Sequence, residues 1–152
     1  MYREYLKGRI GALVFITGTF IRGLSSQTFS DKNFELTPDQ YVILNLLLEN
    51  DEIMYQRQLA EITLKDRANI SRIIEILHQK GFIEKIPDSN GRKIFKLIVT
   101  AKGREVRDKI LPIDKELRQM ITKNISEEEL ITTFNTLEKM NLNIRDKVKL
   151  QI

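Results

Sequence analysis

"DRANISRIIEILHQKGFIEKIPDSNGRKIFKLIVTAKG", residues 66–103, changes its period halfway along. In its first part Ile70, Ile73, Ile74 and Leu77 recur at three- and four-residue spacing. At 3.6 residues per turn they form one buried stripe, about 100° of arc, on a helix running from about Asp66 to Gln79. Gly81 stops that helix. Beyond it the pattern has period two. Residues 82–86 and 94–99 read as strands, and the Asn90-Gly91 pair between them signals a type I′ hairpin turn. Arg92 and Lys93 follow the turn at once, at a hairpin tip where they can bury nothing.

The flanks are helical. "LTPDQYVILNLLLEN", residues 36–50, begins with an N-cap at Thr37, Pro38 in the first turn and Gln40 placed for a capping box. Val42, Leu44, Leu46 and Leu47 are expected to be largely buried. A short helix over 55–62 follows, burying Leu59 and Ile62. Upstream, residues 2–28 read as one helix on the spacing of Leu6, Ile10, Leu13, Phe20 and Leu24. Glycines 8, 11, 18 and 23 interrupt it. Each costs on the order of 1 kcal/mol relative to alanine, so packing against other surfaces must stabilise it. Downstream, Thr100 caps a long helix to about Lys123, with Pro112 expected to kink it near Asp108. Ser126 and Glu129 form a second capping box, and a last helix runs towards Val148. The fold class is mainly α with a small β-wing (α+β): a winged helix-turn-helix with long helices at both ends.

Composition excludes much else. With 41% hydrophobic and 30% charged residues in 152, the chain is a soluble globular protein of one domain plus extensions. It has no cysteine, which excludes disulfides, thiol redox sensing and thiolate zinc sites, and its one histidine, His78, leaves little for a transition metal. The apolar run 10–21 is too short to span a bilayer and Arg22 closes it. No cleavage site marks a signal peptide, so a cytoplasmic protein without membrane association is expected. No nucleophile elbow, phosphate-binding loop or metal-ligand spacing is present, so neither enzymatic activity nor a cofactor is expected. The net charge is +4, and it is unevenly placed: residues 55–104 hold eleven Lys/Arg against five Asp/Glu, leaving the remainder at −2. A basic middle third is the footprint of a polyanion-binding module, although a solvated basic face has the same composition.

The residue types sharpen this. Opposite the buried stripe of the helix over 66–79 lie Lys65, Ala68, Asn69, Arg72 and Gln79. Arginine can bond guanine with two hydrogen bonds and asparagine can do the same with adenine. Arg67 and Ser71 lie at the flanks, where phosphate contacts are expected. Arg92 and Lys93 on a wing would reach the neighbouring groove, and a guanidinium suits a narrow minor groove. The candidate DNA-binding residues are therefore Lys65, Arg67, Ala68, Asn69, Ser71, Arg72, Arg92 and Lys93. The competing reading is a winged-helix protein-interaction or architectural module without sequence-specific DNA binding. Arg67, Asn69 and Arg72 weigh against it, because an interaction surface would more often be apolar there.

Residues 36–103 resemble the MarR family of winged-helix transcription regulators. The family opening LT-x-x-Q-x-x-(V/I)-L is matched by Leu36, Thr37, Gln40, Ile43 and Leu44, its LA pair by Leu59-Ala60, and its L-x-x-x-G by Leu77 and Gly81. The wing has the family's length, ending Val99-Thr100-Ala101-Lys102-Gly103. At its tip Gly91-Arg92-Lys93 stands where the family usually has an aspartate followed by two basic residues. The carboxylate that helps hold the wing is thus absent, and the Asn-Gly turn offers a local substitute. The thiol-based and zinc-responsive sensors of the family need ligands this chain lacks. The resemblance implies a homodimer, with residues 1–34 and 104–152 as dimerisation regions and 35–103 as the DNA-binding lobe. The apolar stripes of Leu6, Ile10, Leu13, Phe134, Leu137, Ile144 and Val148 suit that arrangement. It also implies a double-stranded, pseudo-palindromic operator, repression by occlusion of a promoter, and release by a small aromatic or anionic effector. Phe15, Phe20, Phe34 and Tyr41 suit either an effector cavity or ordinary core.

Overall fold

Leu6 ends the first helix because the glycine two residues on takes a left-handed backbone. Gly8 sits at φ 75°, and α1 (Tyr2–Leu6) and α2 (Ile10–Asp31) are separate helices where the sequence predicts one. A computed structural model of the chain describes residues 2–50, 54–87 and 95–148. Two compact units divide it, residues 2–41 and 42–148. In the first, Phe29 near the end of α2 is buried and meets Phe34 and Tyr41 edge-on, with ring centroids 5.2 and 5.8 Å away. Thr37 caps α3 (Pro38–Glu49) as expected: Gln40 N–H donates to Thr37 Oγ1 at 3.3 Å, and Gln40 Oε1 accepts from Thr37 N–H at 3.2 Å.

In the second unit, Ile43, Leu44 and Asn45 of α3 are buried. Val42 is 44% exposed, contrary to expectation, and Leu46 and Leu47 are half-buried. Val42 and Leu46 share one side of α3, which is less covered than the side of Ile43 and Leu44. A two-residue strand, β1 (Met54–Tyr55), leads into α4 (Gln56–Thr63). Leu59 and Ala60 of α4 are buried, but Ile62 is 54% exposed. At 100° per residue it lies about 110° from the centre of the face formed by Leu59, Ala60 and Thr63. Leu64 turns the chain at φ 51°, and Asp66 caps α5 (Arg67–Gln79), its carboxylate accepting from Asn69 N–H at 2.8 Å. The stripe Ile70, Ile73, Ile74 and Leu77 is buried as predicted, and α5 packs against α4 and β2.

β2 (Ile83–Pro87) and β3 (Phe95–Val99) pair antiparallel, from Ile83 opposite Val99 to Pro87 opposite Phe95. The predicted hairpin strands are therefore present; the first is displaced by one residue, and residue 94, where the second is expected to begin, lies outside the described residues. β1 adds to the far edge of β3, giving the order β1-β3-β2. The predicted Asn90-Gly91 turn lies outside the described residues. Thr100 caps α6 (Ala101–Ile121) and ties its start to the end of α5. Its hydroxyl donates to the Gly81 carbonyl at 2.7 Å and accepts from Gly103 N–H at 3.0 Å, while its own N–H donates to the Phe82 carbonyl at 3.0 Å. Lys102 adds an ammonium 2.8 Å from the Lys80 carbonyl and 5.1 Å from the centre of the Phe82 ring. Pro112 lies inside α6 without ending it. α7 (Glu127–Ile144) starts at the predicted box, with Ser126 N–H donating to Glu129 Oε2 at 2.8 Å, and runs into a 3-10 turn, Arg145–Lys147. No residue of α7 is buried.

Candidate nucleic-acid interface

The α4–turn–α5 unit holds its outer helix by local chemistry. The Leu64 left-handed turn and the Asp66 cap set the entry of α5, and the four buried side chains set its rotation. What remains outward in the first two turns is a short list. Arg67, Ala68, Ser71 and Arg72 are exposed, Asn69 is half-buried, and Lys65 is half-buried in the turn before the helix. Six of the sequence-predicted residues are thus gathered on one helix start. Arg92 and Lys93, the other two, lie outside the described residues.

The helical wheel divides the group. Ala68, Arg72, Glu75 and Gln79 point directly away from the buried stripe, Asn69 and Ile76 lie on one flank, and Arg67 and Ser71 on the other. That second flank faces a cleft of about 710 Å³ between α4, α5 and the root of the wing, lined by Tyr55, Gln56, Arg67, Ser71, Lys85 and Phe95 among others. Gln56 Nε2 crosses from the start of α4 to donate to Ser71 Oγ. This acceptance leaves the serine O–H free to donate outward.

Two residues escaped the sequence reading. Glu75 lies on the outward face with Arg72, and its carboxylate receives Lys85 Nζ from β2 and Gln79 Nε2 at 3.2 Å. The hydrogen bond and charge of Lys85 hold the Glu75 carboxyl below the usual carboxylate range. Ten residues separate the pair in sequence, and only the strand register brings them together. His78, expected to be a surface side chain, is exposed, and its Nδ1 lies 3.1 Å from the Ile83 carbonyl, an acceptor to which that nitrogen must donate. Among the described residues no group of three side chains could hold a metal ion, and no helix is long and apolar enough to cross a membrane.

A family model described as the MarR family matches residues 34–94. The HTH-type transcriptional regulator YybA of Bacillus subtilis (strain 168) is 33% identical over 128 residues, covering 84% of this chain and 85% of its own length. A mutant MarR from E. coli, complexed with operator DNA, superposes with a TM-score of 0.75 at 20% identity, covering 92% of this chain and 97% of that one. Bordetella bronchiseptica BpsR, whose DNA binding is regulated by 6-hydroxynicotinic acid, superposes with a TM-score of 0.76 at 21% identity, covering 88% and 98%. At these identities the two structures establish likeness of fold.

Proposed function

This chain belongs to the MarR family of DNA-binding transcription regulators, and on that premise we propose that it acts in the cytoplasm as a homodimer on a pseudo-palindromic operator. The observation that carries this reading is the start of α5, where Arg67, Ala68 and Arg72 stand exposed above a buried apolar stripe. Arg72 reads guanine and Asn69 adenine in the major groove. Arg67, Lys65 and the outward O–H of Ser71 contact phosphates, while Ala68 lets the helix approach the base edges closely. Arg92 and Lys93 carry the wing to the adjacent groove.

The dimer is argued from surfaces that the chain leaves uncovered. Phe15 and Phe20 of α2 are 76% and 73% exposed, and five residues of helix put them about 140° apart. A helix apolar on more than one side suits enclosure by several neighbours better than simple contact with one. On α7, Leu130, Ile131, Phe134 and Leu142 are likewise exposed. Residues 1–34 and 104–152 together form the interface, and 35–103 the reading lobe. Two-fold symmetry then places the half-sites about one DNA turn apart. Such a dimer represses by covering a promoter. A small aromatic or anionic effector releases it by preferring a lobe spacing that no longer matches successive grooves.

The test is selection of bound duplexes from a random DNA pool near physiological salt, followed by the salt dependence of the winner. A palindrome bound by one dimer at about 10⁻⁸ M or tighter is the expected result. Steeply salt-sensitive binding with no enriched sequence would sink it.

A further inference from the structure

On the outward face of α5, Glu75 follows Arg72 by three residues, the spacing at which an acidic and a basic side chain meet on one helix. They do not pair. Arg72 makes no hydrogen bond or ion pair among the described residues, while both carboxylate oxygens of Glu75 are engaged from elsewhere. Gln79 takes Oε1 from the next turn, and Lys85 takes Oε2 from the wing strand β2. Lys85 is half-buried, and strand register sets it opposite Leu97, whose side chain is buried in the sheet. Its ammonium is therefore delivered from a fixed backbone rather than from a free surface chain.

We propose that Lys85 determines specificity through Glu75: it holds the carboxylate on the wing side of α5, so that Arg72 keeps its guanidinium for a base edge. The inference rests on Arg72 as the base reader. Its physical content is a competition. Bidentate recognition of guanine uses two N–H groups of the guanidinium fork. A carboxylate one turn away is a strong acceptor for those same groups, and it repels the guanine oxygen and nitrogen they should meet. Lys85 and Gln79 remove that acceptor before DNA arrives. The wing root thus contributes to base reading without touching a base.

The experiment compares dissociation constants for the selected operator and for a duplex changed at the base pair that Arg72 reads. Their ratio measures discrimination, and it is taken for four proteins besides the wild type: Arg72→Ala, Glu75→Gln, Lys85→Met, and Lys85→Met with Glu75→Gln. The wild-type ratio should lie between about 5 and 150, and Arg72→Ala should bring it near one. Lys85→Met keeps the length of the side chain and frees Glu75, and should lower the ratio several-fold. Adding Glu75→Gln removes the competitor and should restore the ratio to within about twofold of wild type. Absolute affinity should fall in Lys85→Met, which removes a cation and leaves the Glu75 charge bare, and should recover in the double variant, whose net charge is that of the wild type; either change is common to both duplexes and cancels in the ratio.

A double variant that discriminates no better than Lys85→Met overturns the proposal and assigns Lys85 a contact of its own. So does a Lys85→Met protein with the wild-type ratio. Glu75→Gln alone should leave the ratio unchanged, since Lys85 already silences the carboxylate; a several-fold change would also overturn it. If Arg72→Ala leaves discrimination intact, base reading by Arg72 falls first, and that failure is visible separately from the behaviour of Lys85.

Discussion

At Gly103 the chain has room for a hydrogen atom and nothing larger. A Cβ built there would lie 2.2 Å from the Phe82 carbonyl oxygen and 2.8 Å from Val99 Cγ1. The carbonyl cannot retreat easily, because it accepts the Thr100 N–H at 3.0 Å in the junction between the end of α5 and the start of α6. Gly103→Ala should therefore destabilise the lobe by about 1–3 kcal/mol, the usual range for overpacking a tight contact. Urea unfolding at equilibrium would show it as a lower midpoint at constant slope. An unchanged midpoint would mean that the junction yields without cost. The glycine itself was legible as the end of the Val99-Thr100-Ala101-Lys102-Gly103 stretch that closes the wing. Its reason was not, since the atoms it avoids belong to residues 82 and 99.

Elements were legible where their determinants are local. The boxes at Thr37 and Ser126 and the cap at Thr100 all lie where the sequence places them, because capping involves residues only three apart. The box at the start of α7 makes a prediction about pH. Backbone and side-chain hydrogen bonds from Ser126 hold the Glu129 carboxyl below its ordinary value of 4.5. A carboxyl with a depressed folded-state pKa stabilises above its unfolded value, and that contribution is lost as pH falls through the folded one. Glu129→Gln should thus lower the thermal midpoint at pH 7, and the gap to wild type should narrow as acid takes the solution through and below the carboxylate range. A gap that stays constant with pH would remove the charge from the account. Ser126→Ala should cost about 1 kcal/mol through loss of the cap itself. Elements were missed where the determinant is remote. β1 is two residues long, too short for any period, and exists because β3 presents it with an open edge. Gly8 was visible as a weak point in a helix, but not as the left-handed break that separates α1 from α2.

For the whole molecule, the uncovered apolar surface of α2 and α7 is what the proposed partner copy would cover. Phe134 is 64% exposed in the middle of the α7 stripe. Phe134→Glu would place a charge in the proposed interface, where burial without a partner is costly. Sedimentation should show a shift towards monomer, and operator binding should weaken by far more than the loss of one contact, because each half-site alone captures little of the affinity. A variant that remains dimeric and binds normally would locate the interface elsewhere.

From the sequence alone came the helix period, the caps, the hairpin strands, the basic middle third and the family resemblance, because each depends on neighbours in the chain or on residue type. The wing-tip cations Arg92 and Lys93 still rest on that reading, since they lie outside the described residues. Tertiary structure decided what no periodicity contains: which side chain of one element meets which side chain of another. Gln56 meets Ser71 across fifteen residues and Lys85 meets Glu75 across ten. A period of 3.6 or of two assigns each residue to a face, but pairing across elements depends on the rotation of α5 and the register of β2, which core packing and the sheet ladder set together.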